Sequence, residues 1–102
     1  MVAGRDLHDV RVVKDMAISH ADFFRIVPAV LDSERYVITG NVIYIDRNTE
    51  QIAIHLSPES FQQIASLRLP RTEVEILFSN CSKHTVDSFM ANFELRFRRG
   101  GG

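Results

Sequence analysis

Hydrophobic positions along the chain follow two spacings. Phe23, Ile26, Val27, Val30 and Leu31 recur every three or four residues, the period of a helix with one apolar face. Ser19 precedes them, with Asp22 three residues on, a pattern that caps a helix start. Pro28 lies inside this segment. It lacks a backbone donor and clashes with the preceding turn, which predicts a kink or a stop near Val27. Val86, Phe89, Met90, Phe93 and Phe97 repeat the helical spacing near the end of the chain. Ser82 stands ahead of them as the cap of a last helix over 83–98. A third helix is predicted between these two. Ser57-Pro58-Glu59 offers a cap, a proline suited to the first position and a carboxylate for the positive end of the dipole. Phe61, Ile64 and Ala65 form its apolar face, and Pro70 ends it.

Elsewhere the period is two. Gln51 to Leu56 places Ile52, Ile54 and Leu56 on one side. Thr72 to Phe78 places Val74, Ile76 and Phe78 opposite Glu73 and Glu75. Both are half-buried strands. Tyr36–Thr39 and Val42–Ile45 flank Gly40-Asn41, either a two-residue hairpin turn or a bulge within one longer strand. Asp46-Arg47-Asn48-Thr49 is a second turn signal. Val10, Val12 and Val13 mark a strand over 9–17, where Arg11, Lys14 and Asp15 break the alternation.

These elements make an α+β fold: an antiparallel sheet of three to four strands with helices on one face. With the strand at 9–17 included, the order is β-α-β-β-α-β followed by a helix. That is the ferredoxin-like order with a C-terminal extension. Without it, the sheet is a meander from Tyr36 to Leu56 joined by Thr72–Phe78. The expected organisation is a loose N-terminus over 1–8, one domain over 9–99 and a glycine tail over 100–102.

Composition narrows the function classes. The chain has 102 residues, enough for one core. Its single cysteine excludes a disulfide framework and fits a reducing compartment. A net charge of −1 gives no overall basic field for nucleic acid. No apolar run approaches the roughly 20 residues of a membrane span, and the first residues lack a signal-peptide pattern. A cytoplasmic protein is the expectation.

Four places carry candidate chemistry. Cys81 and His84, three residues apart near a helix start, could pair as nucleophile and base, yet no catalytic signature surrounds them. His8, His20, His55 and His84 are scattered and lack the spacing of a metal motif; no metal and no cofactor is expected. Glu73 and Glu75 share a strand face about 7 Å apart, a geometry for acid–base work that a solvated strand also produces. Arg96, Arg98 and Arg99 cluster at the end of the last helix. There they could bind phosphate or simply complement the helix dipole. The strands at 9–17 and Gln51–Leu56 contain no Phe, Tyr or Trp, which argues against an RNA-stacking platform. The tail Arg98-Arg99-Gly100-Gly101-Gly102 resembles the end of ubiquitin-like modifiers, though those extend from a strand. The plain reading is that Gly100 stops the helix.

Phe24, Leu95 and Leu77 remain as apolar groups off the main stripes. Together they suggest a patch for a protein partner or a second copy. The expected function is therefore a non-catalytic accessory or interaction domain. Nucleic-acid or phosphate binding through the arginines and an enzyme using Cys81 and His84 are the alternatives.

Overall fold

The computed structural model describes residues 7–100, with the side chain of Arg99 outside the description. The elements run β1 (Leu7–Met16), α1 (His20–Val30), β2 (Tyr36–Thr39), β3 (Val42–Arg47), β4 (Glu50–Leu56), β5 (Ser60–Ile64), β6 (Leu67–Ser82) and α2 (Lys83–Gly100). The fold is α+β, and every strand pairing is antiparallel. The main sheet has the order β1-β6-β4-β3-β2, and β5 pairs with β6 outside that path.

Alternation decides which side of the sheet is covered. Ile43 and Ile45 of β3, Ile52 and Ile54 of β4, and Val74, Ile76 and Phe78 of β6 are all at most 1% exposed. Register places them side by side across the sheet. Phe23, Ile26, Val27 and Val30 of α1 join the same cluster, with Phe89, Phe93 and Phe97 of α2. Phe23 stacks on Phe97 at 4.9 Å between ring centroids, and Phe93 lies 4.5 Å from Phe97. Burying such rings contributes roughly 2–3 kcal/mol each. Both helices thus cover one face, as the alternation predicts.

Local capping fixes the helix ends. Asp22 N–H donates to Ser19 Oγ at 3.1 Å, and Thr85 N–H donates to Ser82 Oγ at 3.1 Å. Pro28 neither stops nor shortens α1, which continues to Val30 and is capped by Leu31 N–H donating to Val27 O. The proline is solvent-exposed in the last turn, where few later residues remain to be displaced. Arg47 of β3 pairs with Glu34, tying the sheet to the segment after α1. The Gly40-Asn41 turn forms a hairpin, with Gly40 at φ 59°. Glycine tolerates that left-handed value without steric cost.

Three expectations need correction. The strand expected at 9–17 exists but begins at Leu7, so Leu7 and His8 belong to the sheet rather than to a loose N-terminus; its first six residues lie outside the described ones. The sheet has six strands, not three to four. The helix expected from Ser57 to Pro70 is instead β5 and the start of β6, leaving two helices among the described residues. No helix separates β4 from β6, so the β-α-β-β-α-β order does not form.

The helix signals at 57–59 are spent on tertiary contacts. Ser57 Oγ accepts Glu73 N–H at 2.9 Å, and Ser57 N–H donates to Glu73 O at 2.9 Å. Glu59 Oε1 accepts the N–H of His20 at 2.7 Å, capping α1 from outside. Pro70 sits opposite Phe61 in the β5–β6 ladder.

Candidate interaction surface

The parity that buries one face of the sheet leaves the other bare. Across it, register aligns Arg11, Leu77, Ala53, Tyr44 and Val37 in one row from β1 to β2. The adjacent row is Val13, Glu75, His55, Val42 and Thr39. Among the described residues, no element packs over either row. Tyr44 is 50% exposed and Val37 62%. His55 meets Tyr44 edge-on at 6.5 Å. Isolated exposed apolar groups are ordinary; here they fall into one register row across the sheet.

The face also carries charge, with two arginines, Arg11 and Arg71, against the carboxylates of Asp15, Asp46, Glu73 and Glu75. Arg11 pairs with Glu75, and Arg71 reaches Asp15 at 2.9 Å. That guanidinium holds the Asp15 carboxyl below its ordinary range, chiefly through the hydrogen bond. Among the described residues, the Glu73 carboxylate has no side-chain partner.

β6 connects this face to a projecting arm. Its 16 residues span about 53 Å at roughly 3.3 Å per residue. Thr72 to Ser82 pair with β1, and the stretch from Leu67 to Arg71 pairs only with β5. The molecule accordingly measures 61 × 23 × 21 Å. Its radius of gyration is 15.1 Å, against about 13 Å for a compact chain of this length.

On the arm, Leu67, Leu69 and Arg71 share the strand side of Glu73, Glu75 and Leu77. Ile64 and Gln62 lie opposite Leu67 and Leu69 and share that side. Ile64 is 49% exposed and Leu67 60%. Phe61 occupies the reverse side beneath the Arg68 guanidinium, 4.0 Å from its ring centroid. The tip turns at Ala65, held at φ 53°.

The sequence candidates are dispersed. Cys81 is fully buried, and its thiol donates to Gln51 O at 3.6 Å and Ser79 O at 3.4 Å. Burial, with Glu50 nearby, pushes its pKa up, which disfavours the thiolate that nucleophilic attack requires. His84 is exposed and bonds Ser88 Oγ at 3.4 Å; no hydrogen bond joins it to Cys81 among the described residues. His20 Nε2 donates to Ser57 O at 2.7 Å, a structural contact beside the α1 cap. No group of three or more His, Cys, Asp or Glu among the described residues could hold a metal. Arg96 Nε donates to Asn92 Oδ1 at 3.2 Å along its own helix. Arg98 borders a shallow recess of about 260 Å³ with Lys14 and Glu94, which themselves form an ion pair. Gly100 is the last helical residue, and Gly101 and Gly102 lie outside the described residues. No described helix is long and apolar enough to cross a membrane.

Of the three surplus apolar groups, Leu77 belongs to the bare face. Phe24 packs at the rim of the core, 5.8 Å from the Phe23 ring, and Leu95 lies on α2, 36% exposed. They do not form one patch. Sequence reasoning missed Tyr44, Val37, Ile64 and Leu67. A signal was present in Val42-Ile43-Tyr44-Ile45, an unbroken apolar run that marks both strand faces as apolar.

No family model, curated protein or solved structure matches this chain.

Proposed function

We propose that this chain is a non-catalytic interaction domain whose working surface is the bare face of the sheet together with the arm that extends it. The observation that carries the reading is the row Leu77–Ala53–Tyr44–Val37, apolar across four strands, with Tyr44 and Val37 exposed and no described element packed over it. Its acidic surroundings disfavour nucleic acid, which needs a cationic surface. The buried thiol and the dispersed histidines supply no convergent pocket for catalysis.

Site-specific photo-cross-linking in intact cells tests the reading. A photoreactive phenylalanine analogue at Tyr44 is expected to give a discrete adduct with another polypeptide. The same analogue at Ser88, exposed on α2, is expected to give none. Equal adducts at both positions, or none at either, overturn the reading.

A further inference from the structure

The main sheet ends in two edges of opposite character. β1 carries Asp9, Arg11, Lys14 and Asp15, with a register shift between His8 and Val10. Charges and irregularities of that kind keep an edge from pairing with another strand. β2 has neither: Tyr36, Val37, Ile38 and Thr39 are uncharged and exposed along the whole strand. Arg35 O accepts Asp46 N–H at 2.9 Å, so Arg35, Val37 and Thr39 turn their backbone groups to β3. Tyr36 and Ile38 turn theirs outward. Among the described residues, no strand pairs with that side. The side chains are uncovered as well. Tyr36 and Ile38 lie opposite Ile45 and Ile43, yet the cover that buries those two leaves Tyr36 and Ile38 exposed.

Outward N–H and C=O groups at strand spacing are matched by one kind of partner, an extended strand. β2 of a second copy fits in register and in charge. An antiparallel pair centred on Val37 sets Tyr36 opposite the partner's Ile38, and every outward group of both strands is then bonded. Sliding the pair one step brings in Glu34, whose N–H already donates to Leu31 O. Sliding it the other way brings in Gly40, held in the hairpin turn at φ 59°. In the centred register Arg35 falls opposite the partner's Thr39, and Glu34 is held by Arg47, so no like charges face each other.

We propose that two copies of this chain pair β2 to β2 about a twofold axis at Val37, joining their sheets edge to edge. This goes beyond the reading of the bare face and does not depend on it. Tyr36 comes to lie beside the partner's Ile38 on the helix side, and Val37 meets the partner's Val37 on the other. The apolar row that starts at Leu77 then continues into the partner's row. Both free edges are consumed, so assembly stops at two. Edges of four residues bury less than the roughly 1,200 Å² of a standard interface, so the dimer is a transient one.

Two experiments on the full chain test this. Sedimentation equilibrium of the unaltered chain is expected to show a mass rising with concentration toward twice the 11.6 kDa chain mass. Val37→Lys and Val37→Glu alone are expected to stay monomeric, because like charges then face each other across the axis. Their equimolar mixture is expected to associate again, because opposite charges face there. Circular dichroism matching the unaltered chain shows that each variant keeps its fold. Mild oxidation of Val37→Cys is expected to give at least about tenfold more disulfide-linked dimer than Thr39→Cys. Directly opposed Cβ atoms lie about 5 Å apart, within disulfide reach, whereas the two copies of position 39 lie about 13 Å apart along the strands. An unaltered chain that stays monomeric at every concentration overturns the proposal. So does a dimer that neither charge at Val37 weakens, a mixture that fails to associate, or equal cross-linking from both cysteine positions. Each of those results leaves the reading of the bare face standing.

Discussion

Glu59 and His20 are joined through the carboxylate of one and the backbone N–H of the other, at 2.7 Å. The glutamate lies on the link to the arm, and the histidine opens a helix 39 residues earlier. This contact places a negative charge at the positive end of α1, beside the local cap from Ser19. Substituting Glu59→Ala is expected to lower stability by about 1 kcal/mol. Urea denaturation monitored by circular dichroism measures it, and an unchanged midpoint would show that Ser19 alone suffices.

α2 is anchored in the same manner. Glu50, at the start of β4, accepts Ser82 N–H at 3.0 Å and the Thr85 hydroxyl at 2.8 Å. Thr85 is buried, so removing the carboxylate leaves its hydroxyl with fewer acceptors. Glu50→Ala is expected to cost about 1–3 kcal/mol. Thermal unfolding of the variant checks the direction and the size.

The arm tip holds an alanine where the backbone favours glycine. Ala65 sits at φ 53°, in the left-handed region that costs a side chain roughly 1–2 kcal/mol. Ala65→Gly relieves that strain and adds freedom to the unfolded chain, so the net gain is expected to be below 1 kcal/mol. Slower amide exchange along β5 would report it. Faster exchange would show that the turn does not limit the arm.

The Cys81 thiol is held neutral by burial, its pKa raised from the ordinary 9.0. The unfolded chain therefore releases this proton at a lower pH than the folded one. Stability from this group is complete below pH 9.0 and falls as pH rises through the folded value. Cys81→Ala is expected to flatten that alkaline loss, although the smaller side chain lowers stability at neutral pH. Iodoacetamide is expected to label Cys81 slowly in buffer and rapidly in denaturant.

Both helices and the covered side of the sheet were legible in the sequence because their signals are local. Ser19 and Ser82 cap the helices they precede. Ile52, Ile54, Val74 and Ile76 alternate where one face is buried. The arm was not legible because its residues imitate a helix start. Phe61 and Ile64, three apart, suggest one helical face, yet a strand puts them on opposite sides. Ser57 and Glu59 bond to Glu73 and His20, contacts that exist only once β6 and α1 are in place. The candidate surface was half legible. Leu77 stood out beside Glu73 and Glu75, whereas Tyr44 and Val37 required the register of β2 and β3 to join it.

Contact through the bare face is the claim on which the functional reading turns, and photo-cross-linking from Tyr44, with and without the neighbouring substitution Val37→Asp, tests it most directly. A discrete adduct with another polypeptide is expected from Tyr44, and Val37→Asp is expected to weaken it while circular dichroism shows the same fold. No adduct from Tyr44, or one indifferent to the charge placed at Val37, would contradict it.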